Sequence, residues 1–158
     1  MFTGFYGTSE NSIDSKNRLI IPARFRSALG ERFMLTRGFD RCLYIYKMED
    51  YETLVNKFRK LPQSDRDVRR FIREFFANTE ICEPDSQWRI KIPRNLRRYA
   101  GIESEEGYDR ELVITGAMDK IEIWTASELN KSDEGNMMDN DEFVRKLQSF
   151  TKETDYGI

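Results

Sequence analysis

The chain has 158 residues, of which 39% are hydrophobic, 13% aromatic and 34% charged, with a net charge of −2. A chain of this size holds one domain, or two small units sharing a core, and no segment approaches the roughly 20 apolar residues that span a bilayer. It contains no histidine, which excludes Ser-His-Asp and Cys-His catalysis and any Cys₂His₂ metal site.

No glycine-rich phosphate loop follows a strand, and nothing positions carboxylate or lysine chemistry. The chain is therefore read as a non-enzyme with no catalytic residues, metal ligands or cofactor. Its charge is unevenly spread. Residues 1–100 hold 20 Lys and Arg against 13 Asp and Glu, a net of +7; residues 101–158 hold 6 against 15, a net of −9. A basic working surface joined to an acidic segment would give this division, and so would an ordinary domain with a solubilising tail. Met1-Phe2-Thr3-Gly4-Phe5-Tyr6 has neither a basic n-region nor an apolar h-region, so a cytoplasmic location is expected. Cys42 and Cys82 stand in unrelated surroundings and are expected to be reduced core residues.

In chain order, the first signal is a duplicated motif. Asp14-Ser15-Lys16-Asn17-Arg18-Leu19-Ile20-Ile21-Pro22 returns 71 residues later as Asp85-Ser86-Gln87-Trp88-Arg89-Ile90-Lys91-Ile92-Pro93. The agreement continues through Arg26 with Arg97 and Gly30 with Gly101, then resumes after a longer loop in the second copy. There Leu35-Thr36-Arg37-Gly38 parallels Val113-Ile114-Thr115-Gly116, and Leu43-Tyr44-Ile45-Tyr46 parallels Ile121-Glu122-Ile123-Trp124. Each copy reads as a strand, a turn, a strand, a short helix and a hairpin. Pro22 and Pro93 suit a first helical turn, and Gly30 and Gly101 suit the position just past a helix, where φ is often positive. Helices are predicted over Ala23–Leu29 and Arg94–Ala100. Hairpins are predicted from Phe33–Thr36 with Cys42–Tyr46 and from Glu111–Thr115 with Lys120–Trp124. One unit is too small to bury its own core, whereas two joined copies could close a barrel. The fold class is α+β, dominated by that β-barrel.

Two helices are predicted between the copies. In the first, Tyr51, Leu54, Val55, Phe58 and Leu61 follow a helical period, and Pro62 ends it. The second starts at Ser64, with Asp67 completing a capping-box variant, and its apolar residues are Val68, Phe71, Ile72, Phe75 and Phe76. Arg66, Arg69, Arg70 and Arg73 form a separate stripe, open to phosphates, to a neighbouring subunit's carboxylates or simply to solvent. Lys131–Glu142 reads as an acidic linker. Phe143, Val144, Leu147 and Phe150 then suit a short amphipathic helix, docked on the barrel or on another chain. The expected organisation is a first repeat over 1–48, a helical connection over 49–77, a second repeat over 78–125, and a linker with a tail helix over 126–158.

The Asp-x-x-x-Arg turn is the candidate working part. Its aspartates, Asp14 and Asp85, are expected to accept main-chain N–H bonds and so shape the turns. Its arginines, Arg18 and Arg89, offer a planar fork suited to phosphate oxygens or the O6/N7 edge of guanine, and Lys16 adds a second cation to the first tip. Equally, each Asp–Arg pair could do no more than close its hairpin.

These residues carry a resemblance. Two Asp-x-x-x-Arg-x-x-x-Pro motifs, Leu35-Thr36-Arg37-Gly38 with Cys42-Leu43, the arginine-rich stretch around Arg69-Arg70-Phe71, and Ile121-Glu122-Ile123-Trp124 make the chain similar to the MraZ family of bacterial proteins. The resemblance implies an AbrB-like fold, with two tandem repeats interlocked as a swapped-hairpin, pseudo-dimeric barrel. It also implies a ring-shaped homo-oligomer acting on double-stranded DNA as a nucleoid-associated transcriptional regulator. The expected target is repeated promoter DNA upstream of a division and cell-wall gene cluster. Family DNA contacts carry over to Arg18, with Lys16 and Asn17 beside it, and by repeat symmetry to Arg89. The family pattern has glycine before the arginine, where this chain has Asn17 and Trp88. Asparagine tolerates φ > 0 and tryptophan does not, so the second turn is expected to be rearranged, and the first copy is expected to carry the contact. Readings from other classes are an antitoxin-like, partner-sequestering protein and a purely structural ring.

Overall fold

The computed structural model describes residues 4–133 and 140–153. The first copy comprises β1 (Thr8–Ser12), β2 (Arg18–Ile20), α1 (Ala23–Leu29), β3 (Phe33–Arg37) and β4 (Leu43–Lys47). Helices α2 (Met48–Arg59) and α3 (Arg66–Ala77) follow. The second copy comprises β5 (Thr79–Cys82), β6 (Arg89–Lys91), α4 (Arg94–Tyr99), a small hairpin of β7 (Glu103–Ser104) with β8 (Gly107–Tyr108), β9 (Glu111–Gly116) and β10 (Ile121–Thr125). Two further helices follow, α5 (Ala126–Asp133) and α6 (Asn140–Glu153). The expected strand–turn–strand–helix–hairpin order therefore holds in both copies. The longer loop of the second copy is the β7–β8 hairpin.

The copies exchange their first strands. β1 pairs antiparallel with β9, Ser9 opposite Ile114. β5 pairs with β3, Ile81 opposite Met34. At the centre β4 pairs with β10, Tyr44 opposite Glu122. The result is a six-stranded sheet in the order β1-β9-β10-β4-β3-β5, with β2 and β6 forming a separate two-stranded ribbon. These pairings describe an open sheet and a ribbon. The α+β class and the two repeats expected from the sequence hold, and among the described residues the pairings give no closed barrel.

Period-2 alternation in the middle strands explains how the sheet is covered. In β4, Leu43 and Ile45 point into the main core, which also holds Leu19, Phe25, Ile90, Ile114 and Ile123. Tyr44 and Tyr46 of the same strand join Cys42 and Trp124 in a second cluster, against Tyr51 of α2 and Leu129 of α5. Helix α3 rests on α2 through aromatic edges: the Phe58 ring lies 5.0 Å from Phe75 and 5.3 Å from Phe71. Both cysteines are buried and free, and burial pushes the Cys82 thiol up to about 12, so it stays protonated at neutral pH.

Helix ends follow local chemistry. Pro22 and Pro93 stand at the N-caps of α1 and α4, and Gly30 and Gly101 beyond those helices have φ of 73° and 77°. The start of α3 differs from expectation. Asp65, not Ser64, is its cap, its carboxylate accepting from the N–H groups of Asp67 (2.8 Å) and Val68 (3.1 Å). An ionised carboxylate outcompetes a hydroxyl for those donors and also complements the positive end of the helix. The acidic stretch read as a linker over Lys131–Glu142 is helical at both described ends, in α5 and α6, and its residues 134–139 lie outside the described segments. In α6, Phe143, Val144 and Leu147 remain about half exposed. No helix among the described residues is long and apolar enough to cross a membrane.

Ile45 is fully buried on a strand that pairs with both β3 and β10. Ile45→Ala is expected to cost about 2–5 kcal/mol of folding stability, measured by urea denaturation.

Candidate nucleic-acid interface

Each Asp-x-x-x-Arg segment is a tight turn with the same hydrogen bonds. In the first copy the Asp14 N–H donates to the Arg18 carbonyl (2.9 Å) and the Asn17 N–H to the Asp14 carbonyl (3.0 Å). The aspartate organises the interior. Oδ1 of Asp14 accepts from the main-chain N–H groups of Lys16 (2.9 Å) and Arg18 (2.8 Å), and Oδ2 accepts from Arg18 Nε at 2.8 Å. Asp85 does the same for Gln87 (2.9 Å), the Arg89 N–H (2.9 Å) and Arg89 Nε (2.7 Å). Both aspartates thus act as turn-shaping residues. Both ion pairs also close their hairpins, which the sequence left open. Each ion pair is made through Nε of its arginine.

The expectation for Trp88 is overturned. Trp88 has φ of 58° and Asn17 φ of 64°, so both turns adopt the same left-handed conformation. The reason is tertiary. That conformation lets the Asn17 carbonyl accept from the Ile92 N–H (2.9 Å) and the Trp88 carbonyl accept from the Ile21 N–H (2.8 Å). Each turn therefore bonds to the strand end of the other copy. Trp88 also packs partly buried against the main core, with the Arg26 guanidinium 5.7 Å from its ring centre. These contacts offset a local cost of about 1–2 kcal/mol. Asn17 gains less, since its Oδ1 is buried without a hydrogen-bond partner among the described residues.

The ribbon brings the two arginines onto one surface. Arg18 and Arg89 line a single concavity of about 360 Å³, together with Lys91, which sits opposite Arg18 in the β2–β6 register. Lys91 escaped sequence reasoning, although strand alternation from Arg89 would have placed it on the arginine's side. Lys16 is exposed at the first tip, and Gln87 at the second. The surroundings are unequal too. Glu80 and Glu83 of the second copy line the same concavity, and the matching positions of the first copy are Ser9 and Ser12. Two arginines of α3 are engaged locally: Arg69 donates to the carbonyls of Gln63 (3.2 Å) and Ser64 (2.8 Å), and Arg70 pairs with Glu74 at 3.0 Å.

Two stretches, residues 4–74 and 75–145, each match the family model described as "MraZ protein, putative antitoxin-like". The chain belongs to the MraZ family. The two matched spans start 71 residues apart, which is the offset of the repeat, so each contains one complete copy and runs into the helices that follow it. Among the relatives, a protein of Alkaliphilus metalliredigens named transcriptional regulator MraZ is 40% identical over 91% of this chain and 96% of its own length. One of the same name from Acetivibrio thermocellus is 46% identical over 78% of this chain and 82% of its own. A third, from Alkaliphilus oremlandii, is 41% identical over 90% and 96%.

The turn geometry has a pH consequence. The Arg18 N–H bond, opposed by partial desolvation and reinforced by the Arg18 side chain, holds Asp14 below its ordinary value of 3.8. Arg89 does the same for Asp85. Because the folded values are depressed, this stabilisation is fully present above the ordinary value and is lost as pH falls through the folded one. The double variant Asp14→Asn, Asp85→Asn is expected to flatten the stability profile below about pH 4, measured by thermal melts. Asn17→Gly should raise stability by about 1 kcal/mol, since it removes both the left-handed strain and the orphaned oxygen.

Proposed function

We propose that this chain is a sequence-specific DNA-binding transcriptional regulator, a cytoplasmic and nucleoid-associated ring homo-oligomer acting on repeated promoter DNA of a division and cell-wall gene cluster. The observation that carries this reading is the pair of locked turns: Arg18 and Arg89 are held through Nε by their aspartates on one ribbon, with Leu19 and Ile90 buried beneath. The relatives' shared name supports it. So does the exchange of first strands between copies, the interlocking expected of an AbrB-like pseudo-dimer, although the described strands leave the barrel open.

The first turn carries the contact, with Arg18 as anchor, Lys16 and Asn17 beside it, and Arg89 as a weaker second point. Lys16 is a cation where the second copy has Gln87, and serines stand where the second copy has Glu80 and Glu83. An acidic chain binds DNA on this reading because its basic turns face the duplex and its acidic residues beyond 100 face away. A ring lends several such weak contacts to one DNA, each later contact being effectively intramolecular. A partner-sequestering reading draws on one observation, the half-exposed apolar face of α6.

The test is binding to DNA upstream of the chain's own gene against scrambled DNA, at several salt concentrations. Arg18→Ala is expected to cost about 1–3 kcal/mol of specific binding while leaving the oligomer intact. Lys16→Ala should lower the log–log salt slope by about 0.9 for each phosphate contact it removes. A well-folded oligomer with no preference for the upstream DNA, or an Arg18→Ala that alters only assembly, sinks the proposal.

A further inference from the structure

The β2–β6 ribbon has two unlike faces. In an antiparallel pair, opposed residues point to the same side and successive residues alternate. The register Arg18↔Lys91, Leu19↔Ile90, Ile20↔Arg89 therefore sorts all six residues. Leu19 and Ile90 turn inward, 0% and 3% exposed. Arg18, Ile20, Arg89 and Lys91 turn outward. Ile20 is 46% exposed, an aliphatic side chain sharing its face with three cations.

Among the described residues, no buried cluster calls for an isoleucine there. Its carbonyl accepts from Asn11 Nδ2 at 3.0 Å, a bond that any residue would supply, and its side chain is not part of either buried cluster. The repeat places Lys91 at the equivalent corner of the second copy. The ribbon thus offers one apolar corner and three cationic ones.

We propose that this outward face is the base-reading surface, in which Ile20 contacts the C5 methyl group of a thymine in the major groove while Lys91 and the two arginines seat the ribbon. This rests on the DNA-binding reading above. Paired strands about 4.8 Å apart fit a major groove about 12 Å wide, which admits a two-stranded ribbon. The thymine methyl is the apolar group that the groove edge displays, and Ile20 is the exposed aliphatic side chain that the ribbon itself presents to it. Lys91 supplies attraction to any duplex, whereas Ile20 adds a preference for thymine to the contact made by Arg18.

The experiment uses the full chain and short duplexes of the upstream DNA in which each thymine in turn is replaced by deoxyuridine, removing only the methyl group. Wild-type protein is expected to bind about four-fold more weakly at one position or more, the effect of one lost methyl contact. Ile20→Ser should bind the thymine and deoxyuridine duplexes equally. Ile20→Val should keep the preference, and Lys91→Gln should weaken binding to both duplexes while leaving their ratio unchanged. Wild-type binding that is specific yet indifferent to every methyl, or a preference that survives in Ile20→Ser, overturns the assignment of Ile20 alone. Absence of specific binding by the wild type overturns the DNA-binding reading and this assignment with it.

Discussion

Two main-chain hydrogen bonds hold the working surface together: Asn17 carbonyl to Ile92 N–H, and Trp88 carbonyl to Ile21 N–H. In both, the donated-to carbonyl belongs to the left-handed residue at the corner of its turn. With these bonds made, β2 lies beside β6, Leu19 and Ile90 close over the core, and the strands lead directly into α1 and α4. The aspartates complete the arrangement from inside each turn. The arginine side chains are held by aspartates inside the same turns, so the main chain that joins the copies also positions the tips.

The duplication is close in backbone and loose in chemistry. Arg26 and Arg97 show this well, since each donates to the carbonyl of the isoleucine before its own helix, Ile21 at 2.9 Å and Ile92 at 2.6 Å. Beyond that shared bond they diverge. Arg26 lies near Trp88, while Arg97 is buried and bonds Glu103 at 2.9 Å. At the surface the divergence is larger, with Lys16 against Gln87, Ile20 against Lys91, and two serines against two glutamates. Core positions tolerate little change in a packed interior, whereas outward positions of the same strands are free to specialise. The pseudo-symmetry therefore lies in what supports the surface and fails in what the surface displays.

Much of this was legible in the sequence because it is local. Pro22, Gly30, Pro93 and Gly101 bracket two helices, and the apolar run Leu43-Tyr44-Ile45-Tyr46 marks a hairpin strand. What failed was what depends on distant residues. Local preference argued against a left-handed Trp88, and a bond to Ile21 reversed it. Ser64 and Asp65 are both competent caps, and adjacent competent residues leave a one-residue ambiguity that only the fold resolves. The strand exchange came with the family resemblance and not from any residue, since two like copies give β1 and β5 similar claims on either hairpin. Lys91 could have been found by carrying strand alternation one step past the arginine.

The exchange of first strands also governs the order in which the chain assembles. Ser9 meets its partner Ile114 only after more than a hundred intervening residues have been made. During synthesis, β3 and β4 can pair early, but the strand that begins the chain has no place to go until nearly the whole of the second copy has emerged. Contacts so distant in sequence slow the search for the native state, and a waiting half presents unpaired strand edges in the meantime. β1 reads Thr8-Ser9-Glu10-Asn11-Ser12, entirely polar. A strand of that composition has little tendency to seek the wrong neighbour while it waits.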